Sequence, residues 1–559
     1  MKNWQPLGLA LALVVGLWLG RGCGAWESGH DLPRGRSFHE HMGGSGDQAR
    51  LMNVLHRIED LYVDTFDRTR LVDVAIEAML DELDPHTVYF SGEELASMSE
   101  NMEGNFEGIG VEFLIQQDTL MVVAAIPGGP SDKAGIRAGD RIVAVEGEAI
   151  SGPELDNSRV MKLLKGPRGT EVNLGIDRRG EPFQVHLIRD RIPIQSVVAS
   201  FMLEEEVGYV KAIRFAANTA QEFEGALFGL ATQGATSLVV DLRGNGGGYL
   251  NAVVDMLDLF LDEGQTMVYT EGKSSPRRNY ISRRRGPYAD WPVVVLVDEG
   301  SASASEIFAG AVQDNDRGLV VGRRTFGKGL VQEEFPVPGS GALRLTVARF
   351  YTPTGRAIQK PYDAYEEDFD VRLASGELYH ADSMPLVDSL KYTTPMGREV
   401  FGGGGIAPDV FVAWDSTGTS GWVSEWIWTG VLRDAVFSWM DRHRAELQAC
   451  NGVRDIESLD AWTQDVLAAV REEAERGGWS WRDPDGEEEA KLRHRFLAQV
   501  VRTLWGESAS YEVLMDGDES VARALHALTE ESNFTQANGA VSLNSTTFES
   551  NQNNESHGF

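Results

Sequence analysis

The sequence predicts an α/β domain with a largely parallel sheet, preceded by a small β domain and flanked by two helical regions. Three observations support this fold class. From about Val207 to Asp409, apolar β runs such as Val293–Asp298 alternate with helical stretches such as Ser303–Gln313, a pattern typical of parallel sheets. From Phe106 to about Arg191 the apolar residues fall in short β runs without such long helices. Beyond Trp422 the chain becomes helical and rich in tryptophan.

The length and composition restrict the class of protein. A chain of 559 residues, 42% of them hydrophobic, is long enough for two to four domains with buried cores. Its 51 basic and 85 acidic residues give a net charge of −34, which repels phosphate backbones and argues against nucleic acid as a partner. Cys23 and Cys450 are the only two cysteines, so neither a disulfide framework nor a multi-cysteine zinc site is expected.

The first 26 residues predict export. Lys2 precedes the uncharged, mostly apolar run Leu7–Leu19, which is shorter than the roughly 20 residues that a spanning helix needs. Residues 1–26 are therefore expected to be a signal peptide or a membrane anchor, and lipidation of Cys23 is left open. The expected location is the bacterial periplasm or the periplasmic face of the inner membrane. Residues 27–48, rich in Gly, His and Ser, are predicted to be a linker.

The remaining elements follow in order along the chain. Apolar residues at helical spacing from Leu51 to Leu83 predict a helical pair, which Asp84-Pro85 ends. The last stretch has too little apolar content to pack and is predicted to be disordered. The predicted boundaries are 49–103 for the N-terminal helical region, 104–191 for the β domain, 192–412 for the α/β core, 420–532 for the C-terminal helical region and 533–559 for the disordered tail.

A glycine-rich loop, Asp241–Gly248, directly follows the apolar strand Leu238–Val240. Consecutive glycines let the backbone turn sharply and present bare N–H groups to an anion. A dinucleotide fingerprint needs glycine at the sixth position counted from Gly244, where Tyr249 stands. The loop therefore predicts oxyanion donors, with a plain tight turn as the alternative.

A serine-rich segment, Ser301–Glu306, lies between a predicted strand and a predicted helix. A serine at such a turn can expose its hydroxyl, and the N–H of the next residue then faces developing negative charge at the helix N-terminus. The alternative is an ordinary helix cap, in which Glu306 closes a capping box on Ser303.

A third segment, Gly322–Gly329, imitates a phosphate-binding loop, but Gly329 stands where such a loop needs Ser or Thr after Lys328. A lysine desolvated by neighbours such as Phe326 loses its proton more easily and can act as a general base. The alternative for Lys328 is an exposed loop cation.

No histidine lies between His186 and His380, so the α/β region offers no local histidine base. A Ser-Lys pair is the variant of serine catalysis that needs none. Gln332, four residues after Lys328, is placed to orient the amine without supplying a charge that would keep it protonated.

These motifs, in this order and at these separations, resemble those of the carboxyl-terminal processing, or tail-specific, serine proteases. The resemblance covers about residues 51–412. The segments that carry it are Ser301–Glu306, Phe326–Gly329 with Gln332, Asp241–Gly248, Leu83–Thr87, Arg349–Arg356 with Ile358 and Gln359, and Gly404–Asp409.

The resemblance implies a role for each site residue. The middle serine of the family's S-A-S-A-S-E run, here Ser303, is the nucleophile, and Lys328, 25 positions later, is the base. Gln332 orients the lysine. The oxyanion hole takes the amide of Ala304 and one from the glycine loop, Gly247 or Gly248. The α/β core is then of the crotonase/Clp-like superfamily, and no metal or cofactor is required.

The β domain resembles the family's PDZ domain, with Gly108, Ile109, Gly110 and Val111 in the place of the carboxylate-binding loop. PDZ grooves bind an extended chain end by strand addition. The implied function is a serine endopeptidase that captures proteins or peptides with apolar C-termini. An adaptor protein, a homodimer and attachment to the inner membrane all stay open. The rival functions are a catalytically silent PDZ scaffold, a P-loop nucleotide-binding protein and a crotonase-like acyl-CoA enzyme.

Overall fold

The computed structural model describes residues 46–529, apart from 117, 179, 338–340, 363, 364, 366 and 416–425, and also residues 534–537 and 540–543. The predicted export segment and nearly all of the linker lie outside the described residues. The chain divides into two compact units between residues 74 and 75. Within the described part of the chain, no helix is both long enough and apolar enough to cross a bilayer.

The predicted helical pair is present as α1 (Gly46–Leu61) and α2 (Arg68–Asp81). The first unit contains α1 and the beginning of α2. The second unit continues with the short strand β1 (Val88–Phe90), helix α3 (Gly92–Glu103) and strand β2 (Asn105–Gly108).

The β domain is a sheet with the strand order β3-β4-β5-β7-β8, and β6 pairs with β5. Its core contains Val122, Ile142, Leu174 and Ile176, all completely buried. The strands are β3 (Val111–Gln116), β4 (Thr119–Ala125), β5 (Arg141–Val145), β6 (Glu148–Ala149), β7 (Glu171–Arg178) and β8 (Glu181–Ile188), with β9 (Asp190–Pro193) returning to pair with β2.

Two helices accompany this sheet, α4 (Pro130–Lys133) and α5 (Asn157–Leu164). Helix α4 ends at Lys133 because the chain then turns through a left-handed glycine, Gly135, at φ +76°. Strand β3 stands at the edge of the sheet, and β4 is its one strand neighbour among the described residues.

The α/β core has a six-stranded sheet in the order β10-β11-β12-β15-β16-β21. Every pairing from β11 to β21 is parallel, whereas β10 is antiparallel to β11. The strands are β10 (Val197–Glu204), β11 (Val207–Ala212), β12 (Ser237–Asp241), β15 (Val293–Val297), β16 (Gly318–Gly322) and β21 (Val410–Phe411), and the intervening helices are α6 (Thr219–Gln233), α7 (Leu250–Leu257) and α8 (Ala304–Asp314).

A second, antiparallel sheet lies beside this core in the order β1-β18-β13-β14, with β17 paired to β18. Helix α9 (Asp368–Ala374) and the pair β19 (Lys391–Thr393) and β20 (Glu399–Phe401) follow it. The strands of this sheet other than β1 are β13 (Thr266–Glu271), β14 (Arg278–Ile281), β17 (Leu330–Pro336) and β18 (Ala342–Tyr351).

Helices cover both faces of the parallel sheet. One face, with Val210, Val240 and Val295, packs against α6, α7 and α8. The residues one step along the strands, such as Val239 and Val294, point to the opposite face. That face packs against helix α17 of the C-terminal region, so the region predicted as an appendage supplies the second layer of the core.

The C-terminal helical region has its own core around Trp439, Trp462 and Phe496. It also contacts the β domain through Arg444, which donates to the carbonyl of Ala138 at 3.3 Å. A cavity of about 460 Å³ lies along this contact, lined by no residue of the predicted catalytic site. The helices are α10 (Val431–Arg442), α11 (Arg444–Leu447), α12 (Val453–Glu457), α13 (Asp460–Gln464), α14 (Val466–Arg476), α15 (Gly486–Trp505), α16 (Glu507–Met515) and α17 (Glu519–Thr529).

The prediction of a wholly disordered tail is wrong for the described part of residues 533–559. Strands β22 (Phe534–Ala537) and β23 (Ala540–Leu543) form an antiparallel pair. Backbone pairing of this kind does not depend on a buried apolar face, which is why the polar composition of the tail did not reveal it.

Candidate active site

Three loops follow the carboxyl ends of the neighbouring parallel strands β12, β15 and β16. They are the glycine loop after Asp241, the serine turn after Val297 and the lysine loop after Gly322. Since the carboxyl ends of parallel strands meet at one edge of a sheet, the fold brings together three motifs that lie apart in the sequence.

Ser303 has a strained backbone at the start of helix α8. Its φ is +55° and its ψ is −109°, a region that non-glycine residues rarely adopt and that costs of the order of 1 to 3 kcal/mol. The side chain is half-buried. Ala304 begins the helix, and its N–H has no acceptor among the described residues. The turn therefore presents a hydroxyl next to an unpaired amide.

The neighbouring serines have a different role. Ser301 donates its hydroxyl to the carbonyl of Leu242 at 2.8 Å, and Ser305 donates to the carbonyl of Asn245 at 2.8 Å. Both serines are completely buried. These two bonds fasten the serine turn to the glycine loop. The hydroxyl of Ser303, the remaining serine of this run, makes no such bond to the glycine loop among the described residues.

Glu306 connects the serine turn to the lysine loop. Its carboxylate oxygen Oε2 accepts the N–H of Ser303 and the N–H of Lys328, each at 2.8 Å. The other oxygen accepts the N–H of Gly327 at 2.7 Å and the hydroxyl of Thr325 at 2.6 Å. Burial raises the pKa of Glu306, although these four donors oppose the shift. The predicted capping contact between Glu306 and Ser303 is therefore one of four hydrogen bonds by which this carboxylate holds the serine turn and the lysine loop together, an arrangement called here the Glu306 anchor.

The Lys328 amine is half-buried and donates to Gln332 Oε1 at 3.0 Å. Burial lowers the pKa of Lys328 below its usual 10.5, and the nearby charge of Arg344 lowers it further against the carboxylates of Glu306 and Asp84. The predicted partner Gln332 therefore holds the amine, and the surroundings favour its neutral form.

Sequence reasoning missed His86, which the structure places beside this pair. The Gln332 amide donates to the His86 carbonyl at 2.5 Å, and the His86 ring bonds to the Tyr365 hydroxyl at 2.6 Å. Burial and the charge of Lys328 lower the pKa of His86 to about 4. The Leu83–Thr87 motif, which lies outside the α/β region, is the sequence signal that points to His86.

Phe326 packs against a second lysine, Lys360. The ammonium of Lys360 lies 3.8 Å from the centre of the Phe326 ring and is paired with Asp368 at 2.9 Å. The amides of Gly327 and Lys328, which a phosphate-binding loop would offer to its ligand, are occupied by Glu306. The geometry of this loop therefore argues against phosphate binding.

The glycine loop lies directly against the serine turn. A Cβ atom at Gly247 would be 2.8 Å from the Cβ of Ser303 and 3.0 Å from the N atom of Ala304, so only glycine fits at this position. The N–H of Gly247 donates to Asn245 Oδ1 at 2.9 Å. The N–H of Gly248 has no acceptor among the described residues. Of the two donors left open by the sequence, Gly248 is the one with a free amide.

The predicted carboxylate-binding loop lies between strands β2 and β3. Ile109 is buried, and its carbonyl accepts both the N–H and the hydroxyl of Ser131, at 3.0 and 2.7 Å. Gly108 ends β2, Val111 begins β3, and Gly110 turns between them at φ +74°. Among the described residues, the N–H groups of Ile109 and Gly110 have no acceptor. Free amides beside an open strand edge suit a chain-end carboxylate.

Comparison with known families supports both domains. The model of peptidase family S41 matches residues 206–371, and a PDZ domain model matches residues 121–178. The matched residues contain the glycine loop, the serine turn, Lys328 and Gln332. The C-terminal helical region lies beyond both matches.

The chain is also similar to characterised proteins. It is 35% identical over 348 residues to the carboxy-terminal-processing protease of Bartonella bacilliformis, covering 59% of this chain and 79% of that protein. It is 35% identical over 308 residues to the carboxy-terminal processing protease CtpB of Bacillus subtilis, covering 54% of this chain and 64% of that protein. A solved photosystem II D1 C-terminal processing protease matches with 28% identity and a TM-score of 0.34, over 67% of this chain and 95% of that one.

These findings define a serine-type peptidase with a PDZ domain. The chain belongs to the carboxy-terminal processing proteases of peptidase family S41.

Proposed function

We propose that this protease cleaves by a Ser303-Lys328 mechanism. The observation that carries the proposal is the Glu306 anchor, because one carboxylate oxygen accepts the backbone N–H groups of both the nucleophile and the base. The lowered pKa of Lys328 and its bond to Gln332 favour a neutral, oriented amine.

In this mechanism the neutral Lys328 amine takes the proton of Ser303 as Oγ attacks the scissile carbonyl. The amides of Ala304 and Gly248 donate to the oxyanion that forms. The Lys328 ammonium returns its proton to the leaving amine, which leaves an ester on Ser303. A water then attacks the ester, and Lys328 takes its proton and passes it back to Ser303.

We further propose that the PDZ domain captures apolar C-termini. The free amides of Ile109 and Gly110 would hold the terminal carboxylate, and the open edge of β3 would pair with the chain that precedes it. Val111 and Phe113 on β3 leave apolar surface partly exposed at that edge, which suits apolar residues better than charged ones.

The cleavage experiment uses one loosely folded substrate protein with either an apolar C-terminus or the same C-terminus ending in Asp-Asp. We expect the unmutated protein to cleave the apolar form with the lower KM, and Ser303→Ala to leave no measurable cleavage. Cleavage that persists in Ser303→Ala would contradict the nucleophile. Binding of the apolar tail without cleavage by the unmutated protein would support the scaffold function instead.

We also propose that the enzyme works in the bacterial cell envelope, on the basis of the apolar run Leu7–Leu19 behind Lys2. Fractionation of cells producing the full chain, with N-terminal sequencing of the recovered protein, tests this location. Recovery in the cytoplasmic fraction with an intact N-terminus would contradict it.

A further inference from the structure

The C-terminal helices reach the glycine loop from outside the family match. Helix α16 lies along β10, where the N–H of Ser200 donates to the Ser508 hydroxyl at 3.1 Å. Helix α17 then packs on the parallel sheet. The turn between these two helices contains Asp518, whose carboxylate accepts two hydrogen bonds from Arg243 Nη1, at 2.8 and 3.1 Å.

Arg243 is the third residue of the glycine loop and joins Asp518 to a buried cluster of charges. Its guanidinium also binds Asp241, with the shortest contact at 2.7 Å. Lys211 donates to Asp241 at 2.9 Å and to the carbonyl of Arg243 at 2.6 Å. The Tyr209 hydroxyl donates to Asp241 at 2.7 Å. Both the side chain and the backbone of Arg243 are therefore held.

The charges of this cluster balance only when Asp518 is present. Asp241 is completely buried, and although burial alone raises its pKa, the charges of Arg243 and Lys211 hold it well below the usual range. Two cations then face two carboxylates. Without Asp518, two cations share Asp241, and the mostly buried guanidinium of Arg243 is left poorly compensated, which destabilises the present arrangement of the loop that carries it.

Gly248, the proposed oxyanion donor, lies only a few residues after Arg243 in the glycine loop. A displacement of the Arg243 backbone is therefore transmitted to the Gly248 amide. On the serine turn side, the segment from Arg243 to Gly248 is supported by Asp298, which accepts the N–H of Gly244 at 2.8 Å, and by Ser305, which donates to the carbonyl of Asn245 at 2.8 Å. On the side of β11, the Asn245 side-chain amide donates to the carbonyl of Ala212 at 2.9 Å. The arginine end of the loop depends on the charge cluster.

We propose that Asp518 is a positioning residue for the cleavage reaction, which through its ion pair with Arg243 holds the glycine loop with the Gly248 amide facing the oxyanion. This inference rests on the proposed function. It assigns the C-terminal helical region a part in turnover, although the region lies beyond the matched family model.

Asp518 has a second contact that a test must separate from the first. Its carboxylate also accepts the N–H of Val521 at 3.0 Å and so caps helix α17. Ser is a good helix cap but is too short to reach Arg243, whereas Glu is a poor cap that retains the charge for Arg243. Asp518→Ser therefore keeps the helix cap and loses the contact with Arg243, whereas Asp518→Glu keeps the contact with Arg243 and loses the cap.

We expect Asp518→Ser to lower kcat about 10- to 100-fold with KM unchanged, because an oxyanion donor acts in the transition state rather than in substrate binding. Asp518→Glu should keep kcat within about threefold of the unmutated protein, even though it loses the cap and melts at a lower temperature. Asp516→Asn, at an exposed carboxylate of the same turn, is the matched control and should change neither constant.

A purely structural role predicts the opposite order, with activity following the melting temperature and Asp518→Glu the more impaired variant. That order, or an unchanged kcat in Asp518→Ser, would overturn the proposal.

Hydrogen exchange of the loop amides provides a readout that does not need catalysis. The N–H groups of Arg243, Gly244, Asn245 and Gly247 all donate hydrogen bonds in this structure. We expect faster exchange at these amides in Asp518→Ser and unchanged exchange in Asp518→Glu. Unchanged exchange in both variants would overturn the proposal. If the unmutated protein shows no Ser303-dependent cleavage, the proposed function fails, and the exchange rates still decide whether Asp518 holds the loop.

Discussion

The two halves of the candidate active site are held by different parts of the chain. In the proposed mechanism one half, Ser303 and Lys328, moves protons, and it is fixed by Glu306 from within the residues that match the family model. The half that stabilises charge, the glycine loop, is held at its arginine end by a cluster that includes Asp518, 275 residues away. Ser303 and Lys328 therefore share an anchor within the matched residues, whereas the glycine loop also contacts the C-terminal helices.

The largest effect is expected from breaking the Glu306 anchor. Glu306→Gln keeps the size of the side chain but replaces one acceptor oxygen by an NH₂ group, which cannot accept from the backbone amides. We expect kcat to fall about 10²- to 10³-fold, since both the nucleophile and the base lose their common anchor. Steady-state kinetics on the apolar-tailed substrate measures the loss.

Glu299→Gln is the matched control for this prediction. Glu299 lies just before the serine turn and pairs with Arg323 at 2.7 Å, without a hydrogen bond to Ser303 or Lys328 among the described residues. We expect a change in kcat of less than about threefold. An equal loss in both variants would show that the effect of Glu306 is not specific to the anchor.

The loss in Glu306→Gln should exceed that in Asp518→Ser, because the first substitution disturbs two reacting groups and the second disturbs one donor. The reverse order would contradict the division of the site into two halves. It would mean that the C-terminal helices contribute more to the reaction than the internal anchor.

A smaller effect tests the electrostatics of the base. In the proposed mechanism Lys328 acts when neutral, so activity should rise as pH increases through its pKa, which lies below the usual 10.5. The positive charge of Arg344 lowers that pKa. Arg344→Gln should therefore raise it and move the rising limb of the kcat/KM profile to higher pH.

Arg349→Gln, on the same strand and exposed, should leave the pH profile in place. Kinetic profiles of the three proteins between pH 6 and pH 10 make the comparison. A limb that stays fixed in Arg344→Gln would show that another group controls the ionisation.

Much of the fold and of the site follows from local patterns. The alternation of apolar strands and helices predicts the α/β core, because each pattern depends on neighbours close in sequence. The motifs also place Ser303, Lys328 and Gln332, and the structure shows the Lys328-Gln332 bond. The strained φ of Ser303 is consistent with its place at a strand-to-helix turn.

The features that the sequence does not reveal depend on contacts between distant residues. The bond from Gln332 to the His86 carbonyl joins positions 246 residues apart. The apolar stripe of α17 is evident from its spacing, but no helical pattern identifies the surface that it covers. The choice between Gly247 and Gly248 as oxyanion donor depends on a hydrogen bond within the loop. The side chain of Asn245 accepts the N–H of Gly247, whereas the N–H of Gly248 has no acceptor among the described residues.

The most direct test of the central claim is labelling of the full chain with a fluorophosphonate, followed by peptide mass spectrometry. A fluorophosphonate reacts with a serine oxygen as that oxygen loses its proton and fluoride leaves. The Ser-Lys mechanism predicts one adduct, on the peptide that contains Ser303, with a rate that rises with pH and falls by at least about 10³-fold in Lys328→Ala. An adduct on another residue, or labelling of Ser303 at an unchanged rate in Lys328→Ala, would contradict the Ser-Lys mechanism.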